Sequence, residues 1–391
     1  MRRRATILTT TITIALMVAS GVALAAEIRC PNSIGNRCIG TNEADTMTGT
    51  NQDDDMVGLG GADKMVARGG ADTLFGGGGS DDISAGPGND PSVNGGTGDD
   101  LLSGESGDDT YVFRVRGNWG ADRIPIGGEG AGMGTDELGF ALLTDSLDIE
   151  LVSSPDRDEV ASDAGMLNFP PAVEIEDVSG GTARDVIRGN DSPNRLSGRG
   201  GNDELVGRGG DDALSGGQGA DALDGGEGID ELNGGIGNDA YLFQNGWGED
   251  SITDDAMSGG TDRLFFGGLT SPVKIDLTAS DGVEVSSGAD PTLNTVGWPA
   301  ESEIENATGG TDNDDLRGNQ SDNTLNGQGG DDTISGGGGN DTISGGDGED
   351  TIDVADGDLL IGDTVDCGPG TDTVDADAVD EVDRSSCETV N

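Results

Sequence analysis

The stretch GGQGADALDGGEGIDELN (216–233) decides the reading of this chain. It holds two copies of one nonapeptide, with glycine at places one, two and four, aspartate at place six and an apolar residue at place eight. The register holds outward from it, from Gly180 to Phe243. Asp185, Asp203, Asp212, Asp221, Asp230 and Asp239 stand at multiples of nine residues, with Asn194 in the remaining slot. Ile187, Leu196, Leu205, Leu214, Leu223, Leu232 and Tyr241 each follow two residues later.

Two further runs keep the step. In 40–113 the aspartates are Asp45, Asp54, Asp63, Asp72, Asp81 and Asp90, then, after a slip of one residue near Pro91, Asp100 and Asp109. Their apolar partners include Met47, Met56, Met65, Leu74, Ile83, Leu102 and Tyr111. In 309–353 they are Asp314, Asp332, Asp341 and Asp350, with Asn323 in the gap. Glu43 and Gln52 stand where glycine is expected, so the first two nonamers should bind a cation weakly or not at all. The amides of Asn194 and Asn323 bring no charge, so those sites should be weaker too.

Nine residues suit half of a coil, about six for a turn and three for a short strand. Glycine admits φ > 0 in the turn. The apolar residue faces inward because strand side chains alternate. Aspartates and turn carbonyls supply the hard oxygens that Ca2+ takes six to eight of, at about 2.3–2.6 Å. The pattern G-G-x-G-x-D-x-U-x resembles the RTX, or haemolysin-type, calcium-binding nonapeptide repeats. That resemblance implies an all-β chain, a parallel β-roll or β-helix solenoid in three repeat blocks, with residues eighteen apart stacked on one side. The implied pairs are Asp203 with Asp221, Asp212 with Asp230, and Asp221 with Asp239, each ion lying between stacked turns. It makes the aspartates named above in the three runs candidate calcium ligands, for roughly ten ions.

Composition bounds the partners. Acidic residues number 76 against 20 basic ones, for a net charge of −56, and aromatics make up 3%. Such a chain has too few large side chains for an ordinary core and fits disorder when metal-free. The charge excludes nucleic acid, which needs a basic face, and disfavours anionic membrane surfaces.

Residues 1–25 read as a secretory signal. Arg2, Arg3 and Arg4 precede an apolar, threonine-rich run that ends in Ala23-Leu24-Ala25. The reading is a secreted, extracellular protein with no membrane span after cleavage, the cell surface being a second location. Cys30 and Cys38 follow at one end (26–39), and Cys367 and Cys387 lie in the tail (354–391). Four cysteines allow three pairings. Local pairs, 30–38 and 367–387, are favoured because they need no long-range assembly, and they would cap a solenoid's ends. A metal–thiolate site is the other reading, though the chain has no histidine and no C-x-x-C. The tail keeps an acidic/apolar alternation through Val354, Leu359, Ile361, Val365, Val374, Val379 and Val382, as degenerate repeats would.

The period breaks twice, at 114–179 and 244–308, and the two inserts match each other. GTDELGF (134–140) resembles GTDRLFF (260–266), and VEIEDVSGG (173–181) resembles SEIENATGG (302–310). Leu147, Ile149 and Leu151, like Val273, Ile275 and Leu277, alternate with polar residues and predict half-buried strands that extend or cover the roll. Trp119 and Trp247 occupy matching places and are read as packing residues rather than ligand-stacking ones.

Without histidine there is no His-based triad and no H-E-x-x-H site. There is no G-x-S-x-G elbow, phosphate loop or EF-hand loop either. The chain therefore reads as a non-enzymatic calcium-binding structural protein of a surface or matrix. The alternative is an adhesin, binding a cell-surface or matrix glycan or protein through its inserts. A carbohydrate-active enzyme built on the roll ranks below both.

Overall fold

The computed structural model describes residues 26–30, 37–113, 120–124, 136–140, 147–150, 158–162, 165–169, 175–244, 246–253, 260–278, 295–297, 304–356 and 362–391. The 1–25 signal reading and Trp119 lie outside the described residues, as do Leu359 and Ile361. All described elements are short β-strands. No helix among the described residues is long and apolar enough to cross a membrane. The chain divides into two compact units, residues 1–182 and 183–391.

Each D-x-U triplet starts a strand, and each glycine-rich stretch turns the chain back. In the first unit, Asp45–Thr48, Lys64–Val66, Asp82–Ser84 and Leu101–Ser103 stack in parallel on one side. Asp55–Gly60, Thr73–Gly78, Ser92–Thr97, Thr110–Val112, Glu137–Gly139 and Asp177–Ser179 stack on the other. The place-eight residues fall into register across coils: Met47 on Met65 on Ile83 on Leu102, and Cys38 on Met56 on Leu74 on Val93. All are buried. Each rung thus removes one apolar side chain from water, worth roughly 1.5–3 kcal/mol.

The slip near Pro91 is absorbed locally. Val93, three residues after Asp90 instead of two, takes the interior place opposite Leu74, while Asp90 keeps its own place in the turn. The first insert adds an antiparallel meander, Asp148–Glu150, Asp158–Ser162 and Gly165–Phe169, whose last strand runs parallel to Gly120–Arg123.

The second unit repeats this architecture with three columns of parallel strands. Val186–Arg188 begins one, continued by Glu204–Gly209, Ala222–Glu227, Ala240–Leu242 and Asp262–Phe265. Arg195–Gly200, Ala213–Gln218, Glu231–Ile236 and Glu249–Ile252 form the second. Lys274–Asp276, Asp315–Arg317, Thr333–Ser335, Thr351–Asp353, Thr373–Asp375 and Thr389–Val390 form the third. The second insert thus contributes strands to the coils themselves, and Val273, Ile275 and Leu277 are buried while Lys274 is exposed. In the tail, Val354, Val365 and Val374 point inward, but Val379 is 40% exposed and forms no rung.

Disulfides join Cys30 to Cys38 and Cys367 to Cys387, with Cα–Cα distances of 5.4 and 5.3 Å. The local pairing is the one the fold contains.

Candidate metal centre

The place-six aspartates form two-sided ladders. The backbone N–H of each donates to Oδ1 of the aspartate one coil later on the same side. Asp203 donates to Asp221 (2.7 Å), Asp212 to Asp230 (2.8 Å) and Asp221 to Asp239 (2.8 Å). These are the three pairs that resemblance to the repeats implied. Asp185 donates to Asp203, Asn194 to Asp212, and, in the third block, Asp314 to Asp332, Asn323 to Asp341 and Asp332 to Asp350. In the first unit the same bond runs from Asp45 to Asp63, Asp54 to Asp72, Asp63 to Asp81, Asp72 to Asp90, Asp81 to Asp100 and Asp90 to Asp109. All eighteen candidate aspartates are thereby held in one of these ladders, and all are buried.

The second carboxylate oxygen sorts all but Asp109, Asp185 and Asp239 into two classes. At Asp63, Asp72, Asp81, Asp90, Asp100, Asp203, Asp212, Asp221, Asp230, Asp332, Asp341 and Asp350, Oδ2 is buried with no hydrogen-bond partner among the described residues. A buried acceptor left this way costs about 1–3 kcal/mol, more if charged. We call these turns open.

Elsewhere the turn closes on itself. Asp54 Oδ2 accepts the N–H of Thr50 (2.6 Å) and its hydroxyl (3.0 Å), and Asp45 Oδ2 accepts the same pair from Thr41. Asp314 Oδ2 accepts the Gly310 N–H at 2.5 Å. The amide oxygens of Asn194 and Asn323 accept the N–H of Asn190 and Asn319, each at 2.8 Å. The donor is always the residue four places earlier.

One position separates the classes. Two residues before the side chain, every open turn has glycine, as at Gly219 (φ +136°) and Gly228 (φ +154°). Closed turns carry Glu43, Gln52, Ser192, Asp312 or Ser321 there. A side chain is strained at such φ values. At Gly219 it would also collide, because a Cβ would lie 1.4 Å from the carbonyl oxygen of Gly201. Where that glycine is missing the backbone takes another path, and the N–H four places back reaches the carboxylate.

Open turns have the chemistry of a hard-cation site. A Cβ at Gly225 would sit 2.2 Å from Asp230 Oδ2, one at Gly226 would sit 2.1 Å from the Arg208 carbonyl, and one at Gly228 would sit 1.8 Å from the Gly210 carbonyl. Carboxylate and carbonyl oxygens therefore converge on space that only glycines leave open. Among the described residues no three His, Cys, Asp or Glu side chains are placed to hold a metal ion by themselves, so carbonyls must supply much of any coordination shell.

Electrostatics agrees. Burial pushes Asp212 up to about 8 and Asp81, Asp90, Asp221, Asp332 and Asp341 to about 7. Ladder N–H groups oppose this, and stacked aspartates reinforce it, as Asp203 and Asp239 do for Asp221. Lacking a cation, these carboxylates are driven toward the neutral form.

The ladders run past the recognisable nonamers. Asp122 accepts from Asp100, Asp136 from Asp109, Asp250 from Asp230 and Asp262 from Asp239. Asp363 accepts from Asp341 and Asp372 from Asp350. The place-nine step hid these residues, but each retains D-x-U, as in Asp122-Arg123-Ile124 and Asp372-Thr373-Val374. Glutamates end three runs, with Glu176, Glu305 and Glu388 accepting the N–H of Asp136, Asp262 and Asp372, while Asp380 accepts that of Asp363.

Trp247 is 2% exposed and packs on Phe243 and Phe266, whose stacked rings lie 4.8 Å apart. It serves packing, and no ligand could stack on it from solvent.

A family model described as RTX calcium-binding nonapeptide repeat (4 copies) matches residues 39–73, 57–90, 92–113, 179–214, 215–246, 308–343 and 329–358. No curated protein matches the chain.

Proposed function

Because the chain belongs to the RTX calcium-binding nonapeptide-repeat family, we propose that it is an exported β-roll protein whose folding is completed by calcium outside the cell. The row of buried, unpartnered Oδ2 atoms in the open turns carries this reading. Asp221 and its stacked neighbours would hold the ion together with turn carbonyls, and Ca2+ would supply the positive charge that these buried carboxylates lack. At about 1 mM calcium and a dissociation constant of about 10⁻⁴ M, each site would contribute about 1.4 kcal/mol. Several such sites together rival the stability of a domain, about 5–15 kcal/mol. In a calcium-poor cell the metal-free chain, with its net charge of −56, would stay extended and exportable.

The signal-like N-terminus and the two disulfides support an oxidising, extracellular destination. The role is structural, at a surface or matrix, and the roll binds rather than catalyses. An adhesin reading would place a glycan or protein on the inserts, and the burial of Trp247 removes one of its two aromatic candidates.

The test is a calcium titration of the mature chain followed by far-ultraviolet circular dichroism, with magnesium as control. A cooperative gain of β-signal with calcium alone is the expected result. Full β-signal in excess chelator would overturn the folding claim. A glycan-array hit lost on deleting an insert would favour the adhesin.

A further inference from the structure

Three described aspartates outside the matched repeats have the buried, unpartnered Oδ2 of an open turn, Asp122, Asp250 and Asp372. Residues 114–119 ahead of Asp122 lie outside the described residues, which leaves two turns. One ends on Asp250 and the other on Asp372. The repeat matches stop at 246 and 358.

Asp250 is 5% exposed and Asp372 0% exposed. Oδ2 of each is buried without a hydrogen-bond partner among the described residues, and so is Oδ2 of the residue stacked beneath it, Asp230 or Asp350. Oδ1 of each is held by the ladder bond, at 3.0 Å from the Asp230 N–H and 2.8 Å from the Asp350 N–H. The glycine two residues ahead is present in both, as Gly248 and Gly370. Each bridges in parallel to the corresponding glycine one coil earlier, Gly228 or Gly348. A Cβ at Gly248 would lie 1.8 Å from the Gly228 carbonyl oxygen, and one at Gly370 would lie 1.5 Å from that of Gly348. The place-four carbonyl and the stacked carboxylates converge here as in the matched repeats. The Asp372 turn also keeps the place-two approach, a Cβ at Gly368 lying 2.2 Å from the Gly346 carbonyl oxygen, whereas a Cβ at Gly246 would meet only the Glu227 side chain, at 4.0 Å.

We propose that these two turns are additional calcium sites, Asp230 with Asp250 and Asp350 with Asp372, which extend the ion rows beyond the recognisable nonapeptides. The proposal rests on the calcium reading of the open turns. Each site carries a mark of its own. Trp247 lies inside the Asp250 turn, three residues from the carboxylate, with its indole N–H buried and unpartnered among the described residues. Cys367 stands at place one of the Asp372 turn, its carbonyl against Gly345, and its disulfide to Cys387 fastens that turn to the chain's end.

The experiment uses the full mature chain with both disulfides intact. Bound calcium is counted at saturation for the parent, Asp250→Asn and Asp372→Asn, with Asp221→Asn as control. Asparagine keeps Oδ1 and therefore the ladder bond. Each of the two variants should lose one ion, and the pair combined should lose two. Terbium, a calcium mimic excited through indole, gives a second readout. Trp247→Phe and Asp250→Asn should remove the same sensitised emission, and Asp372→Asn should leave it intact. An unchanged ion count in both variants overturns the proposal, as does terbium emission indifferent to Asp250→Asn. A parent that binds no calcium sinks the underlying reading instead, so the two failures are distinguishable.

Discussion

The turns at Asp54 and Asp221 occupy equivalent places in their coils and end differently. Both belong to a ladder: the Asp54 N–H donates to Asp72 Oδ1, and Asp221 Oδ1 accepts the N–H of Asp203. Asp54 spends Oδ2 on Thr50. Asp221 buries Oδ2 with nothing opposite it among the described residues. One turn is complete as protein, and the other leaves a buried acceptor that a cation would satisfy. The difference traces to Gln52 against Gly219. It teaches that the aspartate marks the coil, while the glycine two residues before it decides whether the second carboxylate oxygen is left open.

The largest effect that can break this comparison is removal of Asp221. Asp221→Ala strips the Asp203 N–H of its acceptor, which costs about 1–3 kcal/mol. It also damages the stacked pairs on both sides. Denaturation in calcium should show a greater loss than in chelator, and Asp45→Ala should show a smaller one in both. Equal losses would mean that the two classes of turn are one. Asp221→Asn separates the roles, since it should cost stability only when calcium is present.

Next in size is pH. Aspartates with an ordinary value of 3.8 sit at about 7 in Asp221 and Asp332 and at about 8 in Asp212 and Asp250. The metal-free roll therefore holds protons that the unfolded chain has released. Its stability is fully present below about pH 4 and is lost as pH rises through about 6 to 8. Calcium competes with those protons, so its affinity should rise over the same window. Melting in chelator should fall from pH 5 to pH 8. A metal-free roll that gains stability over that range would contradict the burial argument.

A smaller change sharpens the comparison by reversing it. Thr50→Gly with Gln52→Gly gives the Asp54 turn the glycines of an open one, and the count of bound calcium should rise by one. The smallest effect is that of Thr50→Ala, which removes one hydroxyl from Asp54. It should cost about 0.5–1.5 kcal/mol, equally with and without calcium, by chemical denaturation.

Much of this was legible in sequence. The nine-residue step places Asp203, Asp221 and Asp239 on one side and Leu205, Leu223 and Tyr241 inside, and the structure stacks them so. Glu43 and Gln52 already marked the first two turns as lacking the glycine that the open turns have. What the period does not contain is the closing bond itself, because Thr41 and Thr50 act through backbone N–H groups whose direction depends on φ, not on composition. Asp250 and Asp372 escaped for a related reason: their turns follow longer excursions, so the step fails while the local G-x-D-x-U grammar survives. The glutamates that end the ladders left a trace in the paired motifs VEIEDVSGG and SEIENATGG, where Glu176 and Glu305 coincide. Only the fold shows what they accept.

An anomalous difference map from crystals of the mature chain grown in calcium would locate every ion at once. Peaks should stand beside Oδ2 in the open turns, Asp221 and Asp230 among them, with none within coordination distance of Oδ2 of Asp54. A peak coordinated by Asp54 Oδ2, or none at Asp221, would contradict the division of turns by their glycine.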